Sequence, residues 1–262
     1  LFVSGATDRL GRVAEGNTVL VFDAEEKRRK VSISSSMAFT EWRNRKINIF
    51  DTPGLFDFEG GRSEAMRACE TVIVVFSAGK GIDVGAEKAL SAAGKMNKSK
   101  IIAVSKCDGE ERDFYKTLDA LKVRYGTAIC PVVIPYMVGG KVDCYVNFLQ
   151  NKAFKYTDGK ATECAIPDDA RINEIHEAFT EAVATADDDL MMKFFDGEEF
   201  THDEIVAGLS KGVNDGTVVP VICGSVIAKI GITHLLNTIA DYMPAPNEFM
   251  YIEGENKKTG DI

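Results

Sequence analysis

The stretch "INIFDTPGLFDFEG" (residues 47–60) runs an alternating apolar segment directly into a Pro-Gly break. Residues 47–50 have the period-two pattern of a strand, and the break ends it. An Asp at the carboxyl end of a sheet strand, here Asp51, can hold Mg²⁺ directly or through water. Gly54 has no Cβ, so its N–H can approach a terminal phosphate closely. The stretch therefore predicts a phosphate and metal site, although Asp51-Thr52-Pro53-Gly54 is also a sequence typical of an ordinary turn.

A second motif, "SKCDG" (residues 105–109), follows the apolar run "KIIAVS" (residues 100–105). The Asp108 carboxylate at this place can accept hydrogen bonds from the N1–H and the exocyclic amine of guanine, which adenine does not offer in that arrangement. A site with such groups rejects the analogue that leaves them unpaired. The aliphatic stem of Lys106 can lie over the base plane. Taken alone, the motif is equally a polar loop after a strand.

A third motif, Gly224-Ser225-Val226, ends the last predicted strand, "GTVVPVICGS" (residues 216–225). Its backbone N–H groups could reach a guanine carbonyl, although a helix-capping turn has the same sequence. All three motifs fall at the carboxyl ends of predicted strands, the edge at which open α/β sheets bind ligands. Their order and spacing favour one nucleotide site over three independent turns.

Strand-like and helix-like segments alternate along the chain, which predicts an α/β fold with a mostly parallel sheet flanked by helices. Residues 39–42 and 47–50 flank a polar turn and predict a β-hairpin. The apolar run at 71–77 predicts a strand buried on both faces. Residues 114–126 have the spacing of an amphipathic helix.

Residues 127–215 interrupt this alternation with short antiparallel strands, followed by helices for which Asp168 and the "THDE" box at 201–204 are predicted N-caps. We therefore predict one domain from residues 1–126 and 216–246. Residues 127–215 form an inserted α+β subdomain in this scheme.

The composition is that of a globular protein, with 45% hydrophobic and 27% charged residues among 262. A net charge of −9 disfavours nonspecific nucleic-acid binding, so we expect no direct DNA binding. The "EEKRRK" segment at 25–30 is the best basic patch, but a solvated charged loop is the simpler interpretation. Six scattered cysteines predict reduced thiols in a cytoplasmic protein. The chain has no apolar run long enough to span a membrane.

The segments "EEKRRKVSISSS", "DTPGLFDFEG", "SKCD", "VPVICGS" and "LLNTIADYMPAP" resemble the nucleotide-binding domain of elongation factor G, a translational GTPase. "ADDDLMMKFFDGEEFTHDEIVAGLSKG" resembles the helical part of that factor's inserted subdomain. The resemblance implies a P-loop GTPase-type fold, GTP or GDP with Mg²⁺ as cofactors, and GTP hydrolysis stimulated by the ribosome. It also implies contact of the inserted subdomain with the ribosomal stalk protein, and a linker at 247–262 toward a β-barrel domain.

Residue by residue, the resemblance assigns metal binding to Ser32 and Asp51. It assigns GTP binding to eleven positions: Asp51, Thr52, Pro53, Gly54, Leu55, Ser105, Lys106, Asp108, Gly224, Ser225 and Val226.

Several positions depart from the family pattern. No G-x-x-x-x-G-K-[ST] loop occurs in the chain; we expect it to precede residue 1, and without it nucleotide affinity should be poor. Leu55 stands where the family has a His that positions the attacking water, so no catalytic residue is assigned and intrinsic hydrolysis should be slow. Ser105 and Ser32 replace the usual Asn and Thr. These departures suggest a paralogue of elongation factor G.

Two alternatives stay open at this point. The chain could be a catalytically impaired GTP-binding or interaction module, for which Leu55 is the reason. It could also belong to a ribosomal protection or release factor built on the same domain. An unrelated ATPase is least favoured, because the Asp108 motif selects guanine.

Overall fold

The computed structural model describes residues 1–108 and 113–248, which form nine β-strands and eight α-helices. The strands are β1 (Ser36–Trp42), β2 (Arg45–Asp51), β3 (Thr71–Ser77), β4 (Ser99–Ser105), β5 (Ile129–Val138), β6 (Lys141–Asn147), β7 (Lys152–Thr157), β8 (Lys160–Cys164) and β9 (Val219–Cys223). The helices are α1 (Ala24–Arg29), α2 (Glu59–Ala68), α3 (Val84–Lys95), α4 (Phe114–Tyr125), α5 (Ala170–Ala184), α6 (Asp188–Phe195), α7 (His202–Asn214) and α8 (Ile232–Tyr242).

Seven strands form one sheet in the order β3-β4-β9-β5-β6-β7-β8. The pairs β3–β4, β4–β9 and β9–β5 are parallel, and the pairs from β5 to β8 are antiparallel. Helices pack against this sheet, with α3 on β3 and β4 and α5 on β5. The predicted α/β class is confirmed. None of the helices in the described ranges is long and apolar enough to cross a lipid bilayer.

The predicted hairpin is confirmed as a separate two-stranded sheet, in which β1 and β2 pair antiparallel. Arg43 and Asn44 make its turn with φ values of 49° and 59°, the conformation of a tight hairpin connection. The indole Nε1 of Trp42 donates to Asn237 Oδ1 at 2.9 Å, and Arg43 pairs with Asp241. Both contacts hold the hairpin turn against α8. The position of α8 therefore helps to fix the position of Asp51 at the far end of β2.

The prediction that β3 is buried on both faces is wrong. Ile73 is 38% and Val75 is 61% exposed, whereas Val72, Val74 and Phe76 are buried. The reason is its place in the sheet: β3 is the edge strand, and the described chain covers only the face on which α3 packs. The central strands β4 and β9 each contribute at least three buried residues to the core.

The sheet continues across residue 127, the predicted start of the inserted subdomain. Strand β5 pairs with β9 on one side and with β6 on the other, so the antiparallel strands extend the same sheet. The division into residues 1–126 with 216–246, and 127–215, stays a prediction. Of the predicted linker at 247–262, residues 249–262 lie outside the described part of the chain.

Helix capping agrees with the sequence at one helix and differs at another. Thr201 and Glu204 form the predicted capping box of α7. The N-cap of α5 is Asp169 and not Asp168, because the Asp169 carboxylate accepts from the Arg171 N–H at 2.9 Å.

One buried histidine makes stability depend on pH. His234 in α8 is 6% exposed, its Nδ1 lies 3.0 Å from Asn147 Nδ2, and its ring packs on Phe154. Burial lowers the pKa of His234 to about 4. The unfolded chain therefore takes up a proton near pH 6.5 that the folded chain resists until about pH 4.

We expect this group to remove about 2 kcal/mol of unfolding free energy between pH 7.5 and pH 5, since stability falls wherever the unfolded state binds more protons. Urea unfolding at the two pH values measures the total change, to which His176 also contributes because burial lowers its pKa, and His234→Gln should reduce that change by about 2 kcal/mol. His202→Gln, at an exposed position, is the control and should keep the pH dependence of the wild type. An equal pH dependence in wild type and His234→Gln would contradict the prediction.

Candidate functional site

The two predicted metal-binding residues meet at the end of β2. Ser32 Oγ donates to Asp51 Oδ2 over 3.5 Å, although the residues are 19 apart in sequence. Burial raises the pKa of Asp51 above its usual range; the hydrogen bond from Ser32 works against this, and the Glu26 carboxylate adds to it. Among the described residues no Lys or Arg forms an ion pair with this carboxylate, so a cation beside it would be favourable.

Two residues of the segment after Asp51, Gly54 and Leu55, are exposed to solvent. A Cβ added at Gly54 would meet no atom within 4 Å, so the neighbouring protein does not require glycine there. Pro53 is buried and Thr52 is half-buried, which holds the start of the segment. Leu55 is 47% exposed and has no polar atom with which to orient a water molecule.

Helix α1 supplies a residue that the sequence did not reveal. Its N-cap Asp23 accepts from the Glu25 N–H at 2.7 Å, so the "EEKRRK" segment begins within a capped helix, and its interpretation as a solvated loop is wrong. Glu26 is only 2% exposed, and its Oε1 accepts from the N–H groups of Ile33 at 2.8 Å and Ser34 at 3.0 Å. Glu26 thereby holds the loop on which Ser32 lies. Asp23 before a run of good helix formers was the available signal for the helix.

A pocket of about 500 Å³ lies beside the end of β2. Ser32, Asp51 and Glu26 line it, together with Val226 from the loop after β9. Three basic residues line it as well: Arg9, Lys27 and Lys30. The structure thus brings residues of the first and third motifs into one cavity. Apolar residues make up much of its lining, and its acidic and basic groups are of the kinds that bind a divalent cation and phosphates.

The second motif is fastened to the third by backbone hydrogen bonds. The Cys107 N–H donates to the Gly224 carbonyl at 3.1 Å, and the Gly224 N–H donates to the Val104 carbonyl at 2.9 Å. Ser105 accepts from Ala78 through its backbone carbonyl at 2.9 Å. Lys106 adopts a φ of 64°, so the chain turns sharply before Asp108, and the side chains of both residues are exposed.

The third motif is the start of a tight loop. Ser225 and Ile230 exchange two backbone hydrogen bonds, of 3.0 and 2.8 Å, and Ser225 Oγ accepts from the Ala228 N–H. The N–H groups of Gly224 and Ser225 are therefore used within the protein, which corrects the expectation that they face a ligand. In the described ranges no residue accepts from the Val226 N–H, so it is the backbone donor of the motif that the described protein does not use.

Gly224 allows this loop to close. A Cβ at Gly224 would lie well inside contact distance of the Ile230 carbonyl oxygen and 3.2 Å from the Gly231 Cα, so the backbone would have to move. We expect Gly224→Ala to cost about 2 kcal/mol of unfolding free energy, because overpacking against backbone is not relieved by a rotamer change.

Chemical denaturation measures that cost, and nucleotide titration of the same variant should show weaker binding. Gly94→Ala in α3 is the matched control, since its Cβ would meet no atom within 4 Å. We expect the control to be neutral or slightly stabilising. Equal stability of the two variants would show that the loop tolerates a side chain.

Neither of the two cavities described for residues 1–108 and 113–248 contains both Asp108 and Asp51. Asp108 lines a smaller cavity of about 260 Å³ with Cys107, Tyr145, Tyr156 and Ile230 among others. A nucleotide is an extended ligand whose base and phosphates occupy different places, but Val226, which the sequence assigns to the base, lines the larger cavity with Asp51 and not the cavity of Asp108. Lys106 and Ser225 are outside the residues that line either cavity.

The residues at the end of β2 fit a Mg²⁺ ion. Ser32 Oγ, the Asp51 carboxylate and the unpartnered Glu26 Oε2 are all oxygen atoms, the donors that Mg²⁺ prefers. Across the residues that the structure describes, no cluster of three or more His, Cys, Asp or Glu side chains could enclose a metal alone. Water and ligand phosphate oxygens would complete the shell, as is usual for Mg²⁺.

Comparison with known proteins adds two findings. The family model described as the elongation factor Tu GTP-binding domain matches residues 1–245. A solved structure of a protein from Thermus thermophilus is similar at 29% identity, with a TM-score of 0.86 over 95% of this chain. The match covers 38% of that protein, so the present chain spans well under half its length.

Proposed function

The chain belongs to the elongation factor Tu GTP-binding domain family, and from this we propose that it is the GTP-binding domain of an elongation factor G-like translation factor that hydrolyses GTP on the ribosome. Membership makes it a GTP-binding domain of the translational GTPase type. The observation that most supports the assignment to an elongation factor G-like GTPase is the pair of backbone hydrogen bonds between the Asp108 loop and the Gly224 loop. The hydrogen bonds of Cys107 and Gly224 join the two loops, and this supports a common role for Asp108 and the Gly224 loop in binding one base.

In this proposal each motif binds one part of the nucleotide. Asp108 accepts hydrogen bonds from the guanine edge, the stem of Lys106 covers the base, and the Val226 N–H donates to the guanine carbonyl. Gly54 donates its N–H to the terminal phosphate. Bound Mg²⁺ supplies positive charge to the phosphates, and Asp51 and Ser32 are the residues that would hold it.

Charge in the larger pocket supports phosphate binding. Arg9, Lys27 and Lys30 line it together with Asp51, so they can offset the negative charge of a phosphate chain. The resemblance to elongation factor G assigns most phosphate contacts to a glycine-rich loop that this sequence does not contain. The three basic residues supplement such a loop and do not replace its backbone donors.

Hydrolysis in this proposal depends on a water molecule that Leu55 cannot orient. The water must be positioned by another group, and the ribosome is the source that the resemblance suggests. Loss of the terminal phosphate would release the segments around residues 26–36 and 54–66, because Ser32 and Gly54 lose their ligand contacts. Cytoplasmic location and contact of the 127–215 region with the stalk protein belong to the same proposal.

Single-turnover GTP hydrolysis by the full-length protein, with and without ribosomes, tests the proposal. We expect slow hydrolysis alone, at least about tenfold stimulation by ribosomes, and no hydrolysis of ATP. Bound GTP that is not hydrolysed even with ribosomes would contradict the enzymatic part.

That second outcome would favour a GTP-binding or interaction module without catalysis, for which the exposed Leu55 is the specific observation. A ribosomal protection or release factor would hydrolyse GTP in the same assay without promoting translocation. A translocation assay on the full-length protein distinguishes it from an elongation factor G-like translocase.

A further inference from the structure

Glu26 has a carboxylate oxygen without a partner in the protein interior. The residue is 2% exposed, and its Oε1 accepts both hydrogen bonds that the loop at 33–34 donates. Its Oε2 is buried and has no hydrogen-bond partner among the residues described. A buried polar oxygen left in this condition costs free energy unless a cation or a bound water compensates it.

The position of Glu26 indicates that the compensating cation would be the divalent ion of the proposed nucleotide site. Glu26, Asp51 and Ser32 line the same pocket, and Ser32 donates to Asp51 there. No ion pair joins Glu26 to a Lys or Arg side chain within residues 1–108 and 113–248, although Lys27 and Lys30 line the pocket. Residues with two carboxylates and a hydroxyl therefore line one cavity, and among the described residues none of its three basic side chains, Arg9, Lys27 and Lys30, forms an ion pair with Glu26 or Asp51.

We propose that Glu26 is a second acidic group of the divalent-cation site, which holds the ion's bound water through Oε2 while its Oε1 positions the Ser32 loop. This inference rests on the proposed Mg²⁺-dependent GTP site and adds a positioning residue to it. The two functions belong to different oxygens of one side chain. They can therefore be separated by substitution.

Gln and Ala at this position separate the two functions. Glu26→Gln keeps an amide oxygen that can accept from the Ile33 and Ser34 N–H groups, but it removes the negative charge. Glu26→Ala removes both. Glu25→Gln is the matched control, because Glu25 is a neighbouring half-buried acid on the same helix that does not line the cavity and pairs with Arg28 and Arg29.

The experiment is a Mn²⁺ titration of the full-length protein, followed by electron paramagnetic resonance, without nucleotide and with saturating GDP. We expect Glu26→Gln to weaken Mn²⁺ binding about tenfold, the usual effect of losing a group that orients metal ligands. Its urea unfolding midpoint should be no lower than that of the wild type, because the loop hydrogen bonds remain. Glu25→Gln should bind Mn²⁺ as the wild type does.

Three results would overturn the inference. Wild-type Mn²⁺ affinity in both Glu26→Gln and Glu26→Ala would show that the residue has no part in cation binding. Normal affinity in Glu26→Gln with weak affinity in Glu26→Ala would show that Glu26 only clamps the loop. Equal weakening of Mn²⁺ binding in Glu25→Gln and Glu26→Gln would show that the effect comes from the loss of any nearby negative charge and is not specific to Glu26.

Failure of the proposed function has a different signature. If the wild type binds Mn²⁺ but no GDP, the GTP-site proposal is overturned, while the comparison of Glu26→Gln with Glu25→Gln on Mn²⁺ alone still decides the inference. If the wild type binds neither, both are overturned.

Discussion

Asp108→Asn is expected to weaken GDP binding by about a thousandfold, because two hydrogen bonds to a charged acceptor contribute about 2 kcal/mol each. The amide presents one donor and one acceptor where guanine presents two donors. One N–H of the base therefore faces an N–H of the protein. Because the Asp108 side chain is exposed before a ligand binds, the substitution should leave folding intact. Equilibrium titration with GDP measures the affinity.

Asp119→Asn is the control for this variant. Asp119 is an exposed acid on α4 that pairs with Arg171 at 3.6 Å and lines neither pocket. It should bind GDP as the wild type does. A loss below tenfold in Asp108→Asn would mean that this carboxylate does not contact the base.

Leu55→His is expected to raise ribosome-stimulated GTP hydrolysis by about a hundredfold, the lower range of what a positioned proton-accepting side chain contributes. Leu55 lies directly after Gly54 and is 47% exposed, so an imidazole can occupy the position without burial. Nucleotide affinity should hardly change, since the substitution adds a group for the attacking water and removes none that binds phosphate. Single-turnover hydrolysis on ribosomes gives the rate.

Leu55→Met is the companion variant, because it keeps an apolar side chain of similar size and cannot hydrogen-bond water in this way. It should hydrolyse GTP at the wild-type rate. No gain in Leu55→His would indicate that another residue already positions the water, or that the segment after Asp51 does not face the terminal phosphate.

Local sequence signals predicted the elements that depend on local chemistry. The β1–β2 hairpin follows from an alternating pattern on both sides of a polar turn, and α7 begins at a capping box that four residues specify. The meeting of Ser32 with Asp51 followed only from the family resemblance, because nothing in the local sequence joins positions 19 apart.

Features that depend on tertiary contacts could not be predicted in this way. Glu26 lies in a run of charged residues and is buried only because the loop at 33–34 folds back onto it. The Ser225 N–H is occupied by Ile230, a pairing that no motif indicates. Val75 is exposed because β3 is at a sheet edge, and an apolar run does not tell an edge strand from a central one.

The central claim is that the three motifs form one guanine-nucleotide site. The measurement that tests it most directly is a titration of the full-length wild-type protein with GDP in Mg²⁺, with ADP as the competitor. The claim predicts saturable, stoichiometric GDP binding that excess ADP does not displace. Binding of neither nucleotide, or equal binding of both, would contradict it.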